Sequence, residues 1–328
     1  MDITENTLVS VIVVAYQSDK FILETLDSIR LQTWRNIELI ITDDASTDKT
    51  VQICSDWLIQ HKNCFANTEI LTVSHNTGIP ANCNRGLNAA RGSWVKFIGA
   101  DDILLESCID DNMKAINNNP KTSFVLSDLI EINVDGEILR ISPKNDGLNY
   151  FMRNQKTKKR QLKSYARWPA FLNTPTFFLK REIIQDAFKS DYDLKIFEDT
   201  ISIFNIINKG AKILYIKTPT VKYRIHDKAI SRNTKINDIR EKEAYLIFNK
   251  YRKKYLSMFN IIDLSVIYES WIRFKFKGIN GHKGELILQK LSFFYWLLKF
   301  NKYRENISKY FLDFTKPNIK YKRYELEK

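Results

Sequence analysis

Four short apolar runs constrain the fold more than anything else in the chain. LVSVIVVAY (8–16), IELIITDD (37–44), EILTVS (69–74) and WVKFIG (94–99) are rich in β-branched and aromatic residues and too short for core helices. Runs that are apolar on both sides of the pleat belong to strands covered on both faces. Between them the apolar spacing becomes helical. Phe21, Ile22, Leu26 and Ile29 recur at helical intervals, as do Val51, Cys54, Trp57 and Leu58 after Ser46, a candidate N-cap. NTGIPANCNRGLNAARG (76–92) reads as a loop and helix closed by Gly92. This alternation predicts an α/β fold with a mostly parallel sheet flanked by helices. Such sheets bind ligands at the carboxyl ends of their strands. Asp43–Asp44 follow the second run and Asp101–Asp102 the fourth, so paired acids stand where a ligand would.

After residue 120 the alternation breaks. FVLSDLIEI (124–132) and EILR (137–140), joined through Val134-Asp135-Gly136, predict a hairpin. Residues 144–165 contain KTKKRQLK and few apolar residues, which predicts an exposed, mobile loop. Beyond Asp238 the pattern is amphipathic helix carrying many Lys, Arg and aromatic residues.

Charge and cysteine usage narrow the classes. The formal net charge is +13, and residues 241–328 hold 19 Lys and Arg against 9 Asp and Glu, so the basicity belongs to the C-terminal quarter. Basic chains bind nucleic acid, anionic membrane or anionic substrates. Cys54, Cys64, Cys83 and Cys108 form no CxxC pair, which suits reduced thiols and a cytoplasmic setting and gives no zinc spacing. No signal peptide is expected at MDITENTLVS, and no stretch reaches the roughly 18 apolar residues of a membrane span.

Two like charges at a strand end need a compensating cation. Mg²⁺ and Mn²⁺ prefer oxygen ligands, typically one or two carboxylates completed by substrate phosphates. A plainer role is also open: Asp102 could cap a helix over 103–118 while Asp101 is solvated.

The segments LVSVIVVAYQSDKFILETLDSIRLQTWRNIELIITDDASTDKT and HNTGIPANCNRGLNAARGSWVKFIGADD together resemble the N-terminal half of family-2 glycosyltransferases of the bacterial O-antigen or capsular polysaccharide type. The resemblance covers 8–130 and continues through TPTFFLKR (174–181), FEDT (197–200) and YRIHDKAIS (223–231). It implies a GT-A (Rossmann-like) fold. Residues 1–235 would form the catalytic domain, with 1–120 the nucleotide-binding half and 121–235 the acceptor-binding half. Residues 236–328 would form a basic, amphipathic helical extension.

The resemblance also implies roles. Val14, Ala15 and Tyr16 would hold the nucleobase, and Asp44 would accept the imide N–H of uracil; a helix cap is its plainer role. Asn76, Gly78, Asn84 and Arg85 belong to an N-x-G…N-x-G element facing the nucleoside. Asp101 would lie beside the nucleotide, with Asp102 the metal ligand and His226 a candidate third ligand. Asp199 of FEDT would be the general base of an inverting transfer, since a sugar hydroxyl is a poor nucleophile until a carboxylate takes its proton. A first-turn acidic pair favoured by the helix dipole is the plainer reading of Glu198 and Asp199. Arg224, Glu198, Trp168, Asn173 and Thr174 are candidates for the diphosphate or the acceptor. Two positions depart from the family pattern: Gly99 stands where many members have Asp, and Cys83 where many have Arg, a charge that Arg85 could supply.

The implied reaction moves sugar from a UDP-sugar to a glycan hydroxyl, with Mn²⁺ or Mg²⁺ as cofactor and a lipid-diphosphate-linked acceptor. WIRFKFK (271–277) and 291–311 mix aromatics with Lys and Arg, which suits peripheral contact with the anionic inner face of the cytoplasmic membrane. No RNP or helix-turn-helix pattern supports nucleic acid. A nucleotidyltransferase would want a Gly-rich phosphate loop after the first strand, and AYQSDKF has none. A non-catalytic sugar- or membrane-binding module would have no use for Asp102 and Asp199.

Overall fold

The computed structural model describes residues 6–142, 157–167, 174–184, 194, 197–226 and 237–275. The chain divides into two compact units, Met1–Tyr255 and Leu256–Lys328. In the first, β1 (Val9–Ala15), α1 (Ile22–Arg30), β2 (Ile37–Asp43), α2 (Thr50–His61), β3 (Asn67–Leu71), α3 (Ile79–Ala89) and β4 (Trp94–Gly99) alternate. Then come β5 (Ile103–Leu104), α4 (Cys108–Asn117), β6 (Phe124–Ile132), β7 (Ile138–Ser142), α5 (Lys158–Arg167), β8 (Phe178–Lys180), α6 (Arg181–Ile184), α7 (Glu198–Asn208), β9 (Ile213–Arg224) and α8 (Asn237–Ile247). The second unit contributes α9 (Ile261–Lys275). No described helix is long and apolar enough to cross a membrane.

The described strands form one sheet in the order β3-β2-β1-β4-β8-β6-β9-β5, with β7 on β6. β1 pairs in parallel with β2 and β4, β2 with β3, and β6 with β9, while β5, β7 and β8 run antiparallel to their neighbours. The expected mostly parallel α/β architecture is therefore present. Period two sorts its core. Val9, Val11, Val13 and Ala15 of β1 join Ile37, Leu39 and Ile41 of β2 against Ile22, Leu26 and Ile29 of α1, Trp57 of α2 and Met113 of α4. Each such large aliphatic side chain contributes about 1.5–3 kcal/mol on burial. On the opposite face α3 lies so close to the sheet that a Cβ on Gly86 would sit 2.4 Å from Cγ2 of Ile12.

Several local expectations are corrected. α2 begins at Thr50, not after Ser46, because the Asp48 carboxylate accepts the Thr50 amide at 3.0 Å while Ser46 turns to Asp43. α3 stops at Ala89, short of Gly92, and β3 runs over Asn67–Leu71, not 69–74. Asp102 caps no helix, because β5 intervenes and α4 starts at Cys108. KTKKRQLK is not wholly a loop: Lys158–Arg167 is helical and buries Leu162, Tyr165 and Ala166, with Tyr165 edge-on to Phe204 of α7 at 4.8 Å. The charges hid a stripe at helical spacing. The 124–140 hairpin forms as expected, its turn held by Asn133 Oδ1, which accepts the amides of Asp135 and Glu137.

Candidate functional site

The carboxyl ends of β1 and β2 lead into two loops tied together. The Gln17 amide donates to Ser46 Oγ at 2.8 Å, the Ser18 amide to Thr50 Oγ1 at 2.8 Å and the Asp19 amide to Asp48 at 3.2 Å. Gln17 and Ala45 both hold positive φ, 51° and 65°. Side chains rarely accept that conformation, and it persists only where the surroundings impose it. The ledge so formed carries Tyr16, 49% exposed, while Val14 and Ala15 offer their carbonyls to Ala100 and Asp44.

Asp44 lies behind this ledge. It accepts Thr77 Oγ1 at 2.5 Å, the Thr77 amide at 3.0 Å, the Gly78 amide at 2.7 Å and Arg85 at 3.3 Å. Burial pushes its carboxyl up, but these hydrogen bonds outweigh burial and hold it below the usual carboxylate range. All four acceptor positions of the carboxylate are engaged. Asn76 Oδ1 also accepts the Gly78 amide, at 3.1 Å. Asn84 lies partly buried on α3. The asparagine that joins α3 to the sheet is instead Asn82, which no expectation named. It donates to the Ala15 carbonyl at 3.1 Å and accepts Thr42 at 2.5 Å and Arg85 at 2.7 Å. Three residues separate Asn82 from Arg85, so they share a helix face, and that spacing was the available signal.

β4 ends at Gly99, and the chain bends through Asp101–Asp102 into β5. β5 pairs with β9 at Val221 and Lys222, which brings Arg224 and His226 back to the bend. Asp102 is buried; its Oδ1 accepts the Arg224 amide at 2.9 Å. Asp101 Oδ2 lies 2.9 Å from His226 Nε2. The Arg224 guanidinium is 1% exposed. It donates to the carbonyls of Asp101 (3.0 Å), Asn133 (3.3 Å) and Val134 (3.0 Å), pairs with Glu24 at 2.7 Å and stacks on Phe21 at 4.6 Å. It thus braces the bend against α1 and the β6–β7 turn. Burial, then the Asp101 charge, push Asp102 well above the usual carboxylate range, against the Arg224 amide and the Lys96 and Arg224 charges.

A cation would relieve that cost. A Cβ on Gly99 would lie 2.7 Å from Asp101 Oδ1 and 3.4 Å from Asp102 Oδ2, so an oxygen of each carboxylate lies close beside Gly99. Among the described residues no group of three or more His, Cys, Asp or Glu is arranged as a metal cage. Two carboxylates converging on one point fit a hard divalent cation whose remaining positions would be filled by substrate oxygens and water.

Asp199 sits in the first turn of α7. Thr174 Oγ1 donates to it at 3.4 Å and Thr200 Oγ1 at 3.3 Å, and the Phe197 amide just before it donates to Glu243 of α8 at 3.1 Å. Burial pushes its carboxyl up to about 6, against these hydrogen bonds. A carboxyl near neutrality is suited to accept a proton. Glu198 begins the same helix, while Trp168 and Asn173 lie outside the described residues. The structure therefore gathers Tyr16, Asp44, Gly78 and Arg85 at one end of the sheet edge, Asp101, Asp102, Arg224 and His226 at the β4 bend, and Thr174 with Asp199 at α7.

Comparison with known proteins agrees with this architecture. The profile described as glycosyl transferase family 2 matches residues 10–188. "Glycosyltransferase GlyG" of Streptococcus pneumoniae is 24% identical over 226 residues, covering 69% of this chain and 73% of that protein. "Amylovoran biosynthesis glycosyltransferase AmsB" of Erwinia amylovora is 26% identical over 231 residues, covering 66% and 69%. A shorter match to "Glycosyltransferase GlyA" of S. pneumoniae, 32% identical over 109 residues, spans only 15% of that relative's length. Among solved structures, S. aureus TarS 1–349 in complex with UDP superposes with a TM-score of 0.56 at 20% identity, covering 83% of this chain and 73% of TarS 1–349.

Proposed function

The chain belongs to glycosyl transferase family 2, and from that premise we propose that it transfers a sugar from a nucleoside-diphosphate donor, UDP-linked, to a hydroxyl of a glycan acceptor in surface polysaccharide synthesis, inverting the anomeric carbon. The observation that carries this reading is the pair of carboxylates converging beside Gly99 at the end of β4, where a diphosphate with its counter-cation would lie. The solved TarS complexes with UDP and with UDP-GlcNAc support the donor class, and AmsB, named for amylovoran biosynthesis, supports the product class.

The nucleobase would rest on the Tyr16 ledge. Of the four contacts to Asp44, that from Arg85 is the longest, at 3.3 Å, and is the one an incoming imide N–H would displace. Asp101 and Asp102, with His226 as a further candidate, would hold Mg²⁺ or Mn²⁺. When bound, that cation supplies positive charge to the departing diphosphate. Asp199 takes the proton of the acceptor hydroxyl as its oxygen attacks from the face opposite the diphosphate. Arg224 keeps the bend in place. Apolar side chains exposed on the second unit, Met258, Phe259, Ile261 and Trp271, together with its basic surplus, support peripheral binding to an anionic membrane that presents a lipid-linked acceptor.

The test is transfer and thermal stabilisation across a panel of nucleotide sugars with Mn²⁺ present. UDP-sugars should stabilise the chain and be turned over, and Asp102→Ala or excess chelator should remove turnover. Stabilisation by no nucleotide sugar, or full activity in chelator, would overturn the donor and cation assignments respectively.

A further inference from the structure

Lys96 lies inside β4, the strand that delivers the acid pair, between its pairing neighbours Val11 and Phe178. It is fully buried. A buried ammonium is costly without partners, and the apolar strand around it gives no packing reason for a cation. Its Nζ reaches out of the sheet and donates to the carbonyl of Pro175. Pro175 is the middle residue of a tight turn, Thr174–Thr176, closed by the Phe177 amide on the Thr174 carbonyl at 3.0 Å. That same turn carries the Thr174 hydroxyl to Asp199. On its other side the Lys96 charge favours the ionised form of Asp102. One side chain therefore stands between the two carboxylate centres, which come from distant parts of the chain.

We propose that Lys96 is a positioning residue: from the strand that bears Asp101 and Asp102, its ammonium fixes the Thr174–Thr176 turn and so sets Thr174 against Asp199. This rests on the reading of Asp199 as the base. Removing the ammonium leaves the Pro175 carbonyl without its donor, so stability is measured beside activity and the pH profile separates the positioning role from folding.

The experiment compares Lys96→Met with the parent in the full chain, reading kcat, donor KM, thermal stability and the acidic limb of the kcat–pH profile. Met keeps the length and removes the donor. Stability should fall modestly with the unpaired Pro175 carbonyl, donor KM should change little, and kcat, read well below the melting temperature, should fall on the order of tenfold or more as the base loses alignment. The acidic limb should move to higher pH, by roughly half a unit, because the Thr174 hydrogen bond favours ionised Asp199. Thr174→Val should move the limb the same way with Lys96 intact, and it serves if Lys96→Met does not fold. An unmoved limb in these variants, or activity falling only in step with stability, overturns the positioning role. Asp199→Asn separates the two ideas: retained turnover there refutes the base itself, whereas an inactive Asp199→Asn with an unmoved limb in the other variants refutes the positioning alone.

Discussion

Replacing Asp199 by Asn should stabilise the protein while abolishing transfer. Burial raises this carboxyl from 3.8 to about 6, a difference of about 2 units, worth about 3 kcal/mol at roughly 1.36 kcal/mol per unit. In the unfolded chain the group titrates near its ordinary value. Between about pH 4 and 6 the folded state therefore binds more protons than the unfolded state, and stability falls as pH rises through that window. Above about 6 the penalty is complete. Asp199→Asn removes the charge, so it should gain up to about 3 kcal/mol at pH 7, a figure already net of the Thr174 and Thr200 hydrogen bonds, and nothing near pH 4. Urea denaturation of parent and variant at pH 4, 5, 6 and 7 reads this directly. In parallel, parental kcat should drop about tenfold between pH 7 and 5, as the ionised fraction falls, and the variant should lie about 10²–10⁴-fold below the parent at pH 7. A variant no more stable than the parent at pH 7, or a gain independent of pH, would refute the buried-base reasoning.

Two more outcomes follow from the packing. Gly86→Ala drives a methyl to within 2.4 Å of Ile12, so it should cost about 1–3 kcal/mol and weaken nucleotide binding, since α3 carries Asn82 and Arg85; an unchanged denaturation midpoint would refute that close approach. Phe259→Ser, at a site 102% exposed, should leave the folded midpoint unchanged but reduce sedimentation with anionic vesicles, and equal sedimentation of parent and variant would remove Phe259 from the membrane contact.

Much of the sheet was legible because its signals are local. β1, β2 and β4 are apolar runs whose composition alone excludes a solvated loop, and the paired acids fall at their ends. The β6–β7 hairpin announces itself through Asp135-Gly136. What escaped depended on partners far along the chain. Lys96 is visible as a lone cation in WVKFIG, but its acceptor lies 79 residues away. Asp102 looks like a helix cap until β9 pairs with β5. Arg224 looks like a phosphate ligand, yet four peptide and side-chain partners from three other segments enclose it. Asn82 and Asn84 look equivalent in ANCNRG, and the helix phase shared with Arg85 and Gly86 decides which one faces the sheet.

The Arg224 brace has a consequence for biosynthesis. The Asp102 carboxylate meets its backbone donor 122 residues downstream, and Glu24 waits 200 residues for its guanidinium. A ribosome adding about 5–20 residues per second needs roughly 6–24 s to cover the first of those gaps. During that interval β1 to β4 can pair among themselves, but the bend after Gly99 holds two acids with neither amide nor cation to receive them. In chain order the β3-β2-β1-β4 half of the sheet is thus complete before the β8-β6-β9-β5 half is synthesised. The last strand in chain order, β9, pairs with both β6 and β5 and is also the one whose Arg224 completes the acidic bend.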